Sequence, residues 1–266
     1  MRQRVITAVI ALIFFIPIIA YGGYPLDIVA AALAVVGVYE LFRMRGLTLL
    51  SLEGGLSALG AILLVLPVER WFFFLPSGIS NFTLYYLIVM VLLGIGVISN
   101  NSYTIDEAGF PVIVSLYVGV GFQNLVAARS HSVQMVILAL FIVWATDIGA
   151  YMIGRQYGKR KLLPSISPNK TVEGALGGIG CAMFITLIFT LLYPAQQYFN
   201  HGLLAMIIFA AFFSVFGQFG DLVESAIKRH YDVKDSGKIL PGHGGILDRF
   251  DSLLFVFPIM HLFGLF

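Results

Sequence analysis

The feature that most limits this chain is a succession of apolar runs, each close to the roughly 20 residues that a helix needs to cross a bilayer. They extend from Val5 to Tyr21, Leu26 to Phe42, Leu47 to Leu66, Phe82 to Ile98, Ala108 to Ala128, Val133 to Ile153, Val172 to Tyr193, Gly202 to Phe219 and Leu247 to Phe266. Hydrocarbon offers no water to backbone N–H and C=O groups, so such runs fold as helices that satisfy their own hydrogen bonds. Composition agrees, with 59% hydrophobic and 11% charged residues, where soluble domains carry about 25% charge. A soluble globule and a disordered chain are both excluded. The single cysteine, Cys181, rules out an internal disulfide. A net charge of +2 gives no sign of a nucleic-acid partner.

The expected fold is therefore all-α: a polytopic integral membrane protein with about nine transmembrane helices. The third run, interrupted by Glu53-Gly54-Gly55, is the weakest of the nine, and Trp71 to Leu75 is too short to cross and should lie along the interface. Arg2 and Arg4 before the first run resemble a secretory signal, but no small-residue cleavage pattern follows, so a retained helix is expected. With nine spans the connections alternate sides, and all lysines and arginines except Arg70 and Arg129 fall on one side. Basic residues stay cytoplasmic during insertion, which puts the amino terminus inside and the carboxyl terminus outside. Residues 1–130 then read as a transmembrane scaffold. Residues 131–266 read as a second transmembrane region, with cytoplasmic loops 154–171 and 230–246, where the chemistry of the chain is to be sought.

Charge concentrates in that second region. The eighth run continues as Gln218, Asp221, Glu224, Ser225 and Lys228, spaced by three or four residues so that one helical face presents them together. Ionisable groups at membrane depth are costly and usually mark a site. Asp248 and Asp251 repeat the spacing at the start of the ninth run. Carboxylates gathered from two helices repel unless a cation sits among them, and all-oxygen ligation suits Mg2+, with Mn2+ as an alternative. Neutralisation of these acids by Lys228, Arg229 and Arg249 is the competing arrangement. Between the runs lies Lys234-Asp235-Ser236-Gly237-Lys238-Ile239-Leu240-Pro241-Gly242-His243-Gly244-Gly245. Its lysines and exposed glycine N–H groups would cradle an anion, although glycine also serves any tight turn. Ser167, Lys170 and Thr171 precede the seventh run, where a helix amino terminus could take a phosphate or simply be capped. Asp147, embedded in the sixth run, faces either the same site or a neighbouring helix. Glu40, Glu53, His131, His201 and His261 have no evident partner constellation and are expected to pack or to sit at the interface.

The string Ser225, Ile227, Lys228, Arg229, Lys234, Asp235, Gly237, Leu240, Pro241, His243, Gly244, Gly245, Asp248, Arg249, Asp251 resembles the signature of the phosphatidate cytidylyltransferases, or CDP-diacylglycerol synthases. Asp147, Tyr151, Gly154, Arg155, Gly158 and Lys159, followed by Ser167, Pro168, Lys170, Thr171, Glu173 and Gly174, are similar to a second region of that family. The resemblance covers roughly the carboxyl-terminal 120 residues. It implies a metal-dependent reaction of CTP with phosphatidic acid at the cytoplasmic leaflet of a bacterial-type inner membrane, giving CDP-diacylglycerol and pyrophosphate. In that frame Asp221 and Asp248 would bind the metal, with Glu224 and Asp251 binding it directly or orienting its waters. Ser167, Lys170, Thr171, Ser225, Lys228, Arg229, Lys234, Gly244 and Arg249 would bind substrate, and His243 would contact the leaving pyrophosphate. Asp221, Asp248, Lys228 and His243 form the expected catalytic set. Partners would be CTP, phosphatidic acid and the surrounding membrane lipids, and the sequence is compatible with a homodimer. Two other readings stay open at this point: transfer to another lipid phosphate, and an ion-coupled transporter built on the same carboxylates.

Overall fold

A computed structural model describes residues 2–194, 199, 201–242 and 244–266, and for residues 2–6 and 8 the backbone alone. Helices dominate. They are α1 (Arg2–Tyr21), α2 (Gly23–Met44), α3 (Leu52–Val65), α4 (Val68–Trp71), α5 (Asn81–Ile98), α6 (Ile105–His131), α7 (Val133–Tyr157), α8 (Val172–Leu192), α9 (Leu203–His230), α10 (Leu247–Phe250) and α11 (Leu253–Leu262). Six of them, α2 and α5 to α9, are long and apolar enough to cross a membrane. The chain is thus a polytopic membrane protein by its helices. A helix falls within each of the nine expected runs, but among the described residues only those six are long and apolar enough to span, which leaves the expected nine crossings a proposal. α3 has 14 residues, about 21 Å at 1.5 Å per residue, against the roughly 30 Å of a hydrocarbon core. The ninth run is broken between Phe250 and Leu253 into α10 and α11.

The expectation of a purely helical chain needs one correction. The connection between α7 and α8 contains an antiparallel two-stranded hairpin, β1 (Lys161–Leu163) and β2 (Ser167–Thr171), in which Lys161 pairs with Thr171 and Leu163 with Ser167. Its strands are too polar and too short to show a period in the sequence. They form because Glu173, at the start of α8, accepts the backbone N–H groups of Lys159 (3.0 Å) and Arg160 (3.2 Å) and draws the chain back on itself.

The helices divide into two compact units. The first comprises residues 1–126 and 235–248, with a core that includes Phe42, Leu64, Tyr85 and Phe122. The second comprises residues 127–234 and 249–266, with Leu138, Ile142, Phe213 and Phe257 at its centre. This grouping differs from the expected halves 1–130 and 131–266: the glycine-rich segment 235–248 packs with the amino-terminal helices. The reason is chemical, since α2 offers that segment a buried carboxylate, Glu40.

In the second unit α7 and α8 pack backbone against backbone. A side chain at Gly178 would meet the Thr146 carbonyl at 2.7 Å, and one at Gly149 would meet the Cys181 sulfur at 2.6 Å. Small residues allow such approach between membrane helices, which have little hydrophobic drive to associate. The close pairing holds Asp147 of α7 beside the amino terminus of α8.

Candidate active site

Four elements of the second unit bring charge to one place. α7 contributes Asp147, β2 contributes Lys170, α9 contributes Asp221, Glu224, Ser225 and Lys228, and the break before α11 contributes Asp251. On α9 the acids and Lys228 share a face because they are three or four residues apart, as the sequence predicts. Lys170 forms an ion pair with Asp221 through Nζ and Oδ2, and Ser225 Oγ donates to Asp221 Oδ1 at 3.4 Å. One turn on, the Glu224 carboxylate is buried and takes Lys228 Nζ at 2.6 Å. Ion pairing of these acids is therefore realised at both positions. Gly220 lets the chain at Asp251 come close, since a side chain at Gly220 would meet the Asp251 carbonyl oxygen at 2.5 Å. Asp147, Asp221 and Asp251 act on one another electrostatically, with Lys170 opposing the charge at Asp147 and Lys228 that at Asp251.

Between α7, α8, α9 and the hairpin lies an open cavity of about 450 Å³, lined by Asp147, Tyr151, Arg155, Lys170, Gln218 and Asp221 among others. Asp147 thus faces the cavity. Gln218 is fixed by donating to the Ala175 carbonyl at 3.2 Å. Thr171 caps α8, its hydroxyl accepting the N–H of Gly174 at 3.1 Å, and it lines the cavity as well. Arg229 Nε donates to the Ile166 carbonyl at 3.3 Å, bracing the hairpin turn. Ser167 lies in the hairpin ladder opposite Leu163. Lys234 and Arg249 are exposed.

In the first unit Asp248 closes the glycine-rich segment on itself. Its Oδ2 accepts the N–H of Ser236 at 2.9 Å and that of Gly245 at 2.8 Å, and lies 2.9 Å from Ser236 Oγ. The segment's tip turns between Leu240 and Gly244, whose backbone groups bond at 3.0 Å. His243 lies outside the described residues. Glu40, expected merely to pack, is fully buried and accepts the N–H groups of Ile246 and Leu247. Neither Glu40 nor Ser236 stands out by spacing. The available signal was an acid inside an apolar run, the same one that marks Asp147.

An arrangement of alternating cations and carboxylates at the end of spanning helices can hold a polyphosphate and a divalent cation together. Among the described residues no three His, Cys, Asp or Glu side chains form a group that could hold a metal ion by themselves. A metal here would have to complete its shell with substrate phosphates and water, which is the habit of Mg2+.

The profile of the cytidylyltransferase family matches residues 2–266. The phosphatidate cytidylyltransferase of Bacillus subtilis (strain 168) is 44% identical over 264 residues, covering 98% of this chain and 96% of the relative. The phosphatidate cytidylyltransferases of Staphylococcus saprophyticus and Staphylococcus aureus (strain COL) are 43% and 42% identical, each over 98% of both chains. With the match running from end to end of the sequence, the chain belongs to the cytidylyltransferase family.

Proposed function

We propose that this protein transfers the cytidylyl group of CTP to phosphatidic acid, forming CDP-diacylglycerol and pyrophosphate for phospholipid synthesis. The observation that carries this reading is the cavity of the second unit, where Lys170, Arg155, Asp147 and Asp221 gather beside membrane-spanning helices, in a chain whose relatives bear that activity in their name. A lipid phosphate lies at headgroup depth and a nucleoside triphosphate is found in the cytosol. The site should accordingly open to the cytoplasm, with nine spans, the amino terminus inside and the carboxyl terminus outside. The uneven distribution of lysine and arginine supports that orientation.

In the reaction an oxygen of the phosphatidate phosphate attacks the α-phosphorus of CTP. A new P–O bond forms, the bond to the β-phosphate breaks, and pyrophosphate leaves with the electron pair. The attacking group is already an anion, so no protein nucleophile is needed. Catalysis then lies in positioning and charge neutralisation. Lys170, Lys228, Arg229 and Lys234 are proposed to hold phosphates, with Ser167, Thr171, Ser225, Gly244 and Arg249 shaping the substrate site and His243 touching pyrophosphate. Glu224 suits an orienting role through Lys228, given its burial and its ion pair.

The donor chemistry fits a divalent cation. Asp147, Asp221 and Asp251 act on one another electrostatically, with Lys170 and Lys228 opposing them only in part, and their oxygens are those that Mg2+ or Mn2+ prefers. Asp221 and Asp248 are the proposed ligands, with Glu224 and Asp251 assisting. Such an ion would supply Lewis-acid charge stabilisation at the phosphoryl oxygens. The direct test is incubation of purified protein with labelled CTP, Mg2+ and phosphatidic acid. A lipid-soluble cytidine product and released pyrophosphate are expected. Their absence across several metals and lipids would overturn the proposal.

A further inference from the structure

Glu40 lies near the end of α2 and its side chain has no exposure to solvent. Its oxygens lie within hydrogen-bond distance of three donors from a segment that follows some two hundred residues later. The Ile246 N–H approaches Oε1 at 2.8 Å, and the Leu247 N–H and the Ser236 hydroxyl approach Oε2 at 2.9 and 3.1 Å. Burying a carboxylate is costly unless such bonds compensate. The glycines of the segment fit this anchor: a side chain at Gly237 or Gly245 would run into the Glu40 carboxyl group. Ser236 also faces Asp248, with Oγ 2.9 Å from Oδ2. One hydroxyl hydrogen cannot serve two carboxylates at once, so Ser236 is a joint through which Glu40 and Asp248 constrain each other.

We infer that Glu40 is a positioning residue for cytidylyl transfer: acting through Ser236 and the amides of Ile246 and Leu247, it fixes the aim of Asp248 and the shape of the glycine-rich loop. α2 is a continuous helix of 22 residues, whereas the described residues between Asp235 and Ile246 form no helix or strand of their own. A site residue carried on a loop needs support of this kind to keep its geometry. This rests on the proposal that Asp248 takes part in the reaction, and the experiment separates the two.

The variants E40Q, S236A and D248A, purified in detergent, are compared for turnover per folded molecule, KM for CTP, and amide hydrogen exchange across residues 236–248. Loss of a supporting hydrogen bond to a functional carboxylate typically costs about 10- to 100-fold in activity. Folded E40Q and S236A should each lose at least about tenfold in kcat while KM for CTP moves by less than about threefold. The double variant should be no worse than the poorer single one, because both act along one path. Exchange should quicken in 236–248 alone. If E40Q fails to fold, S236A decides. Near-normal kcat in the folded variants beside an inactive D248A overturns the role of Glu40 and leaves the site reading intact. An active D248A overturns that reading and this inference with it.

Discussion

A carboxylate set in an apolar helix needs compensation, and the chain provides it in three ways. Asp27, fully buried in α2, takes Arg70 at 2.6 Å and the Trp71 indole N–H at 2.9 Å. Glu224 takes Lys228, and Glu40 takes backbone amides and a hydroxyl. Removing one partner of a buried pair leaves an uncompensated charge and costs about 3–5 kcal/mol. Arg70 is partly exposed and Trp71 would remain, so Arg70→Ala should cost about 3 kcal/mol, read from unfolding in detergent, with specific activity unchanged. Lys170→Ala differs, because Lys170 lines the cavity and pairs with Asp221. Its loss should raise KM for CTP and reduce kcat/KM roughly 30- to 100-fold, or ~2–3 kcal/mol of transition-state stabilisation, with folding preserved. Asp147, Asp221 and Lys170 were legible in the sequence because each breaks a hydrophobic pattern or sits at a helix start. Glu40 breaks one too, but its partners lie in a loop far along the chain, and no local spacing points to them.

At the level of elements, the site depends on how closely α7 and α8 approach. Gly149 and Gly178 meet a sulfur and a carbonyl of the opposite helix, so the cavity wall is set by how closely the two helices approach at their glycines. Gly178→Val would force the helices apart. Overpacking of this kind costs typically about 1–3 kcal/mol, and the accompanying shift of Asp147 against β2 should lower turnover as well as the unfolding midpoint. Gly180 provides the control: nothing lies within 4 Å of a side chain added there, so Gly180→Ala should leave both unchanged. The long helices could be read from sequence because a run of apolar residues in lipid has no other fold. The hairpin could not, because its polar strands lack alternation and are held by Glu173 from the next helix. The break between α10 and α11 was equally hidden, since it falls at Asp251 and Ser252 with no proline or glycine to mark it.

The molecule as a whole turns apolar side chains outward, including Phe14 at 68% exposure, Phe184 at 63% and Leu191 at 67%. Patches of that extent are untenable in water and mark contact with lipid. Sidedness is a separate matter, and the proposed orientation rests on charge: with nine spans the basic residues nearly all fall on alternate connections, which the positive-inside tendency would keep in the cytosol. Two loops test it. Ser165, exposed in the hairpin turn, should face the cytosol, and Ser77, exposed after the aromatic segment, should face away from it. In a Cys181→Ala background, Ser77→Cys should react with a membrane-impermeant maleimide applied to intact cells, while Ser165→Cys should react only once the inner membrane is permeabilised. The nine-span topology requires opposite behaviour at the two positions, because three proposed crossings separate Ser77 from Ser165. Labelling of both sites from the same side would remove one crossing from the count and, with it, the reason for placing the Lys170 cavity within reach of cytosolic CTP.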